Sequence, residues 1–201
     1  MDSLVQSLIS SGMLRTPEII EAFLKADRIN FILPKYNDLA YEDMPIPIGS
    51  GQTISQPTTV AFMLELLQPK KTESILDVGS GSCWTTALLS YIVGEKGKVI
   101  GTEILPELVE FGKKNIKKFN LPQAKIVKAT QKIGFAEEMP YDKILVSASA
   151  VNLPEELIGQ LKNGGRLVMP ISDSIWEVNK SEEGKIEKRE YPGFLFVPLI
   201  Q

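Results

Sequence analysis

At 201 residues with a formal net charge of −3, the chain has the length of one domain with a substantial core, and it lacks the basic footprint that a nucleic-acid backbone demands. One cysteine rules out an internal disulfide, and the absence of histidine removes the usual Cys/His zinc sites and every Ser-His-Asp or Cys-His triad. No charged, apolar, small-residue leader opens the sequence and no apolar run approaches bilayer length, so the expectation is a soluble cytoplasmic protein with no membrane or nucleic-acid partner.

Along the chain, Leu4, Leu8 and Ile9 sit at helical spacing. After the break at Ser10-Ser11-Gly12, Thr16 is placed to cap a second helix with Pro17 at its first position and Ile19, Ile20, Phe23 and Leu24 on one apolar stripe. This N-terminal helical extension is expected to pack beside the sheet and help cover the substrate side. Residues Leu33 to Ser55 carry repeated Pro and Gly with little periodicity and are read as a long ordered loop, which in a compact domain is usually functional. Thr58 to Leu67 predicts a helix, and strands are predicted near Ser74 to Val78, Lys98 to Thr102, Lys125 to Ala129, Lys143 to Ser147 and Arg166 to Met169. A helix is predicted over Trp84 to Val93, and another carries Leu105, Leu108, Val109, Ile116 and Phe119 on one face, with Pro106 near its start. Strands alternating with helices imply an α/β fold, a mostly parallel central sheet with helices on both faces. Ile175 to Asn179, Lys185 to Tyr191 and Phe194 to Leu199 suggest an antiparallel C-terminal edge, with a polar turn at Glu182-Glu183-Gly184. No linker marks a second domain, so residues 1–201 are taken as one, with the N-terminal helices and substrate-side loop over 1–57 and the α/β body over 58–201.

Two neighbouring segments carry the chemistry. Ile75, Leu76 and Val78 form a strand that ends in Gly79-Ser80-Gly81 before the helix at Trp84, an arrangement in which glycine lets the backbone take φ > 0 and approach a ligand closely. The helix N-terminus that follows is expected to offer unpaired N–H groups. Glu103 ends the next strand, about where an acid would reach a ribose hydroxyl. The dinucleotide fingerprint wants a third glycine where this chain has Trp84, which disfavours a pyrophosphate cradle and favours a nucleoside without phosphates, S-adenosylmethionine being the common one. A glycine turn of this kind also serves merely to join strand to helix, and an NAD-dependent oxidoreductase would use the same strand, turn and acid. The missing glycine and the lack of histidine argue against that rival.

From about Leu4 to Leu199 the chain resembles the protein-L-isoaspartate O-methyltransferases of compact bacterial or archaeal type. The resemblance rests on Ala40-Tyr41-Glu42-Asp43, Pro45 to Gly49, Gly51-Gln52-Thr53-Ile54-Ser55-Gln56-Pro57, Leu76 to Ser82, Pro140-Tyr141-Asp142, Gln160 to Val168 and Phe196 to Leu199. The glycine turn is shared by methyltransferases in general, whereas the Gly51 to Pro57 segment is much more specific. The resemblance implies a single Rossmann-like class I methyltransferase domain, S-adenosyl-L-methionine as cofactor with S-adenosyl-L-homocysteine as product, no metal, and isoaspartyl-containing proteins or peptides as substrates. A cytoplasmic monomer is expected.

Roles carried over residue by residue place Ser55 beside the methyl group and the substrate carboxylate, though Ser55 also stands where a helix N-cap would. Gln52, Thr53 and Ile54 match the segment that lines the cofactor, or else form an ordinary tight turn. Gly79, Ser80 and Gly81 would pass the methionine end, Asp77 would fix that loop or meet the amino group through water unless it only bonds backbone N–H groups, and Glu103 would accept from the ribose hydroxyls. Three positions depart from the family pattern. Ala129-Thr130-Gln131 stands in place of a Gly-Asp-Gly whose aspartate accepts from the adenine amino group, Cys83 replaces a glycine, and Trp84 replaces a smaller residue. A threonine hydroxyl in place of a charged acceptor would cost on the order of 1–2 kcal/mol, or roughly tenfold in affinity, and the Gln131 side chain is placed to supply the missing acceptor. Cys83 reads as a small packing residue.

Such chemistry tolerates a chain without histidine. A sulfonium methyl is already activated, its thioether leaves neutral, and a carboxylate with a pKa of about 4 is ionised without a general base. Holding oxygen, carbon and sulfur in line then supplies roughly 7–11 kcal/mol in favourable cases. By the resemblance, the ester product closes to a succinimide whose hydrolysis returns some normal aspartyl linkage, a repair of aged proteins. A divergent relative would methylate another peptide carboxylate, or bind the cofactor without catalysis.

Overall fold

The computed structural model describes residues 1–200. Seven strands form one sheet in the order β5-β4-β3-β6-β7-β8-β9, made of β3 (Ser74–Val78), β4 (Lys98–Glu103), β5 (Ala124–Lys128), β6 (Tyr141–Val146), β7 (Leu161–Ile171), β8 (Ser174–Lys180) and β9 (Ile186–Pro192). β3 to β7 pair in parallel, and β8 and β9 add antiparallel at one edge. The sequence leaves β3 towards β4 on one side and reaches β6 on the other, so the strand order turns at β3 and opens a crevice at the carboxyl ends there.

The strand sequences alternate in the way a two-sided sheet requires. Ile75, Val99, Leu145, Val168 and Ile175 join one buried cluster with the helices α1 (Asp2–Ser10), α2 (Pro17–Lys25), α3 (Pro57–Leu67), α4 (Trp84–Val93) and α5 (Pro106–Ile116). Leu76, Ile100, Ile144, Val146, Leu167 and Met169 belong to a second cluster, covered by α6 (Glu155–Gln160) and by Ile133 and Phe135. Each fully buried aliphatic side chain in these layers contributes roughly 1.5–3 kcal/mol against the entropy of ordering the chain.

Several expectations change. A 3-10 turn, Arg28–Phe31, precedes the segment read as a long loop, which itself contains a second 3-10 turn, Pro34–Leu39, and a hairpin of β1 (Ile46–Gly49) and β2 (Gln52–Ile54). Ser50 and Gly51, with φ of 51° and 72°, make its two-residue turn in the left-handed region that hairpins favour. Pro45, Pro47 and the glycines hid the alternation of Ile46 and Ile48, both of which are buried. β5 and β6 begin earlier than predicted, β7 is far longer, and Phe194 to Leu199 is not a strand but an extended segment with a single bridge between Ser149 and Pro198. Helix α6 was not foreseen.

Thr16 stands at the N-cap of α2 with Pro17 at its first position, as predicted, but its side chain is used elsewhere. Thr16 makes no side-chain cap bond; its hydroxyl donates to Glu65 Oε2 at 2.8 Å, while the backbone N–H groups of Arg15 and Thr16 donate to Glu65 Oε1 at 2.7 Å each. Glu65 sits on α3 and is buried, so one carboxylate anchors the N-terminal helices to the body. Glu65→Ala strands those donors, and the expected loss is roughly 2–4 kcal/mol of unfolding free energy in urea titration. A loss below about 0.5 kcal/mol would show that the anchor is ornamental.

Candidate functional site

The crevice opens where β3, β4, β5 and β6 end. Its floor is made by Val78, Gly79 and Gly81 after β3, Thr102 to Leu105 at the end of β4, Ala129 to Gly134 after β5, and Ser147 and Ala148 after β6. The hairpin residues Ile48, Gln52 and Thr53 wall one side, and Val197 to Ile200 wall another, enclosing about 680 Å³ including the open mouth. A smaller recess of about 320 Å³ adjoins it, lined by Thr53, Ile54, Ser55, Ser80, Ser82, Trp84 and Thr85. Thr53, Gly79, Gly81 and Ser147 line both, so the two spaces meet at the glycine turn.

The turn is held by its own backbone donors. Gly79 and Ser80 N–H both donate to Thr102 O at 2.9 Å, Gly81 N–H donates to Glu103 Oε2 at 2.9 Å, and Cys83 N–H donates to Ser80 O at 2.7 Å. The N–H groups of the turn itself are thus consumed, whereas those of Trp84, Thr85 and Thr86 in the first turn of α4 have no partner among the described residues, as expected of a helix N-terminus. Gly79 and Gly81 take φ of 72° and 51°, and a Cβ on Gly81 would stand 3.1 Å from Ile48 Cδ1, so the hairpin presses directly on the turn.

Glu103 is buried and its other oxygen accepts from Leu105 N–H at 2.9 Å, so the carboxylate bridges the turns after β3 and β4 while still lining the crevice. Asp77 lies beneath the turn, fully buried, and is not on the crevice wall. Its partners are hydroxyls rather than backbone N–H groups: Thr85 Oγ1 at 2.7 Å and Thr86 Oγ1 at 2.6 Å both donate to Oδ2, and Oδ1 has no partner. Burial pushes its pKa up to about 6; the two hydroxyls oppose that rise and the Glu103 charge adds to it.

Ser55 stands in the recess, and it does not cap α3. Asp43 does so instead, accepting from Thr58 N–H at 2.8 Å, Thr58 Oγ1 at 2.6 Å and Gln56 Nε2 at 3.1 Å. Burial alone would raise the Asp43 pKa, but these bonds and the Arg28 charge outweigh it and hold it below the usual range. Among the described residues the Ser55 hydroxyl has no hydrogen-bond partner, while its carbonyl accepts from Arg28 Nη2 at 3.1 Å. Thr130 and Gln131 both line the crevice; Thr130 Oγ1 already accepts from Lys132 N–H at 3.2 Å, and Gln131 is exposed. Cys83 is buried against Gly112 with its thiol pushed up to about 12 by burial, a packing residue. Trp84 is buried, donates from Nε1 to Ala26 O at 2.9 Å and meets Phe23 edge-on, which ties the N-terminal extension to α4.

Sequence reasoning missed Arg28, Ile48, Ser147, Ala148 and the C-terminal wall. Ile48 lay within the Pro45 to Gly49 motif, Ser147 ended a predicted strand, and the C-terminal wall lay in the motif through Leu199, which was read as a strand; Arg28 and Ala148 left no signal. Among the described residues no group of three or more Asp, Glu, Cys or His is placed to hold a metal ion, and no helix is long and apolar enough to cross a membrane.

An open α/β sheet with a nucleoside-sized crevice at its turning point, a glycine turn and a strand-end acid defines the class of S-adenosylmethionine-dependent methyltransferases with the class I fold. The chain matches the family described as protein-L-isoaspartate(D-aspartate) O-methyltransferase over residues 1–201, and it belongs to that family. It is 42% identical over 204 residues to a protein-L-isoaspartate O-methyltransferase of Methanopyrus kandleri, covering 99% of this chain and 90% of that one. A Pyrococcus abyssi protein of the same name is 43% identical, with 98% and 92% covered. A crystal structure from Plasmodium falciparum, described as a protein-L-isoaspartate O-methyltransferase in complex with S-adenosyl-L-homocysteine, superposes with a TM-score of 0.87 at 29% identity, covering 98% of this chain and 97% of that one.

The raised Asp77 pKa has a sign. The group favours the folded state below its unfolded pKa of about 4, and that contribution is lost as pH rises through about 6. Asp77→Asn is therefore expected to raise the melting temperature of ligand-free protein at pH 7.5 and to do so less at pH 4.5. An equal shift at both values would mean that the carboxylate is not strained.

Proposed function

We propose that the crevice seats the adenosyl cofactor and the recess seats the free carboxylate of an L-isoaspartyl residue, so that methyl transfer to damaged proteins or peptides takes place where the two spaces meet. The observation that carries this is the shared wall at Thr53, Gly79, Gly81 and Ser147, with the unpartnered Ser55 hydroxyl on the recess side. When bound, S-adenosyl-L-methionine supplies an activated methyl group and leaves as the neutral thioether S-adenosyl-L-homocysteine.

The chain's own residues fit that load. Glu103, already accepting two backbone N–H groups, keeps acceptor capacity for ribose hydroxyls, since a carboxylate has room for about four donors. Gln52 and Thr53 roof the sugar and Ile54 backs the recess. Gly79, Ser80 and Gly81 let the methionine end pass close to the backbone. Asp77, with one buried oxygen free, holds the start of α4 through Thr85 and Thr86 and balances the positive methionine amino group from below. Gln131 accepts from the adenine amino group through its amide oxygen, which takes no bond among the described residues, whereas the Thr130 oxygen already takes the Lys132 N–H and has one acceptor position left. Ser55 donates its hydroxyl to one carboxylate oxygen and so aims the other along the attack line. No proton has to be removed, since the acceptor is ionised at neutral pH. One domain acting as a cytoplasmic monomer completes the proposal.

Incubated with protein and labelled cofactor, an isoaspartyl peptide is expected to gain a base-labile methyl group while its aspartyl twin gains none. Equal labelling of both would point to another peptide carboxylate as substrate, and no labelling of either to a chain without this activity. Ser55→Ala is expected to lower turnover roughly tenfold or more with little change in S-adenosyl-L-homocysteine affinity. Unchanged turnover would remove Ser55 from the chemistry.

A further inference from the structure

Arg28 lines neither the crevice nor the recess, yet it controls the segment between them. It is fully buried at the start of the first 3-10 turn. Nη1 donates to the carbonyls of Ala40 at 3.0 Å and Glu42 at 3.2 Å, and Nη2 to those of Met44 at 2.8 Å and Ser55 at 3.1 Å. The guanidinium carbon lies 5.4 Å from the centre of the Trp84 ring, and Trp84 walls the recess that holds Ser55.

This is a costly way to hold a loop. Among the described residues no carboxylate reaches Arg28 within ion-pair distance and its Nε has no partner, and an apolar side chain of similar volume would avoid the desolvation. Burial pulls its pKa down to about 10, against the pull of the Asp43 charge, so it remains a cation at neutral pH. What the guanidinium adds over packing is a rigid planar fork that fixes four carbonyls, three from the residue 40–44 segment and one from Ser55, in a single geometry. Asp43 fixes Gln56 and Thr58 on the other side of Ser55. The serine is thus clamped at its carbonyl and at the two positions beyond it, while its hydroxyl stays free.

We propose that Arg28 is a positioning residue for methyl transfer. Its guanidinium, lying over the Trp84 ring, sets the Ser55 backbone against the glycine turn and thereby the direction from which the acceptor carboxylate meets the methyl carbon. The inference rests on the role given to Ser55 above. A displacement of about 1 Å at such a site costs on the order of a hundredfold in rate, so the clamp governs turnover without touching the reactants. Lysine keeps the charge but has three donors at one point, and it does not reproduce the fork.

The test compares wild type, Arg28→Lys and Arg28→Ala on the isoaspartyl peptide, with S-adenosyl-L-homocysteine affinity and melting temperature measured alongside. Arg28→Lys is expected to lower kcat about tenfold or more while the affinity stays within about threefold. Millimolar guanidinium is expected to restore part of the turnover of Arg28→Ala and to leave wild type unchanged. Should Arg28→Ala not fold, the lysine variant alone decides. Lysine turnover within about twofold of wild type would overturn the inference, as would a parallel fall of kcat and cofactor affinity in every folded variant, which is the mark of a merely structural role. A wild type that transfers no methyl would sink the proposed function and this inference together; an active wild type with indifferent variants would sink the inference alone.

Discussion

The Glu103 carboxylate, shared between Gly81 N–H and Leu105 N–H, is the interaction from which the cofactor side is built. It ties the turn after β3 to the turn after β4 and so fixes the width of the crevice in which the adenosyl group is proposed to sit. It also decides what the turn is for. With Thr102 O taking the N–H groups of Gly79 and Ser80, little of the turn is left to cradle an anion, and the acid makes the pocket hostile to phosphate. The same acid lines the crevice and keeps acceptor capacity for hydroxyl groups, so in the proposed function one side chain both supports the wall and reads the ligand.

Distant carboxylates recur as anchors for loops and helix starts. Glu65 takes the N–H groups ahead of α2, Asp43 those at the start of α3, and Asp77 the hydroxyls in the first turn of α4. Each acid lies at least eight residues from the groups it serves, so each contact exists only once the chain has folded. The arrangement suits a chain without histidine whose substrate arrives ionised, where the protein's task is placement rather than proton transfer. Asp77 shows the tension in such a design, because a buried carboxylate with one unpartnered oxygen is a liability in the ligand-free fold and an asset once a cationic amino group is nearby.

The parts of the fold that were legible in the sequence are those whose determinants are local. Ile75, Leu76 and Val78 alternate across the sheet and end at glycine, so β3 and its turn could be read directly, and the Gly51 to Pro57 segment pointed to the family. The hairpin escaped because prolines and glycines punctuate it, and α6 because six residues are too few to show a period. Thr16 was placed correctly at the start of α2, but its hydroxyl turns to Glu65 instead of the helix, and the cap given to Ser55 was misassigned because the carboxylate that serves α3 comes from Asp43. Arg28 carried no local signal at all. Its importance lies in carbonyls 12 to 27 residues away.

The most direct measurement is a crystal structure of the protein with S-adenosyl-L-homocysteine and an isoaspartyl peptide. The account predicts ribose hydroxyls on Glu103, the adenine edge at Gln131, and the peptide carboxylate on the Ser55 hydroxyl facing the thioether sulfur across the glycine turn. A cofactor seated away from Glu103, or a peptide carboxylate bound where Ser55 cannot reach it, would contradict it.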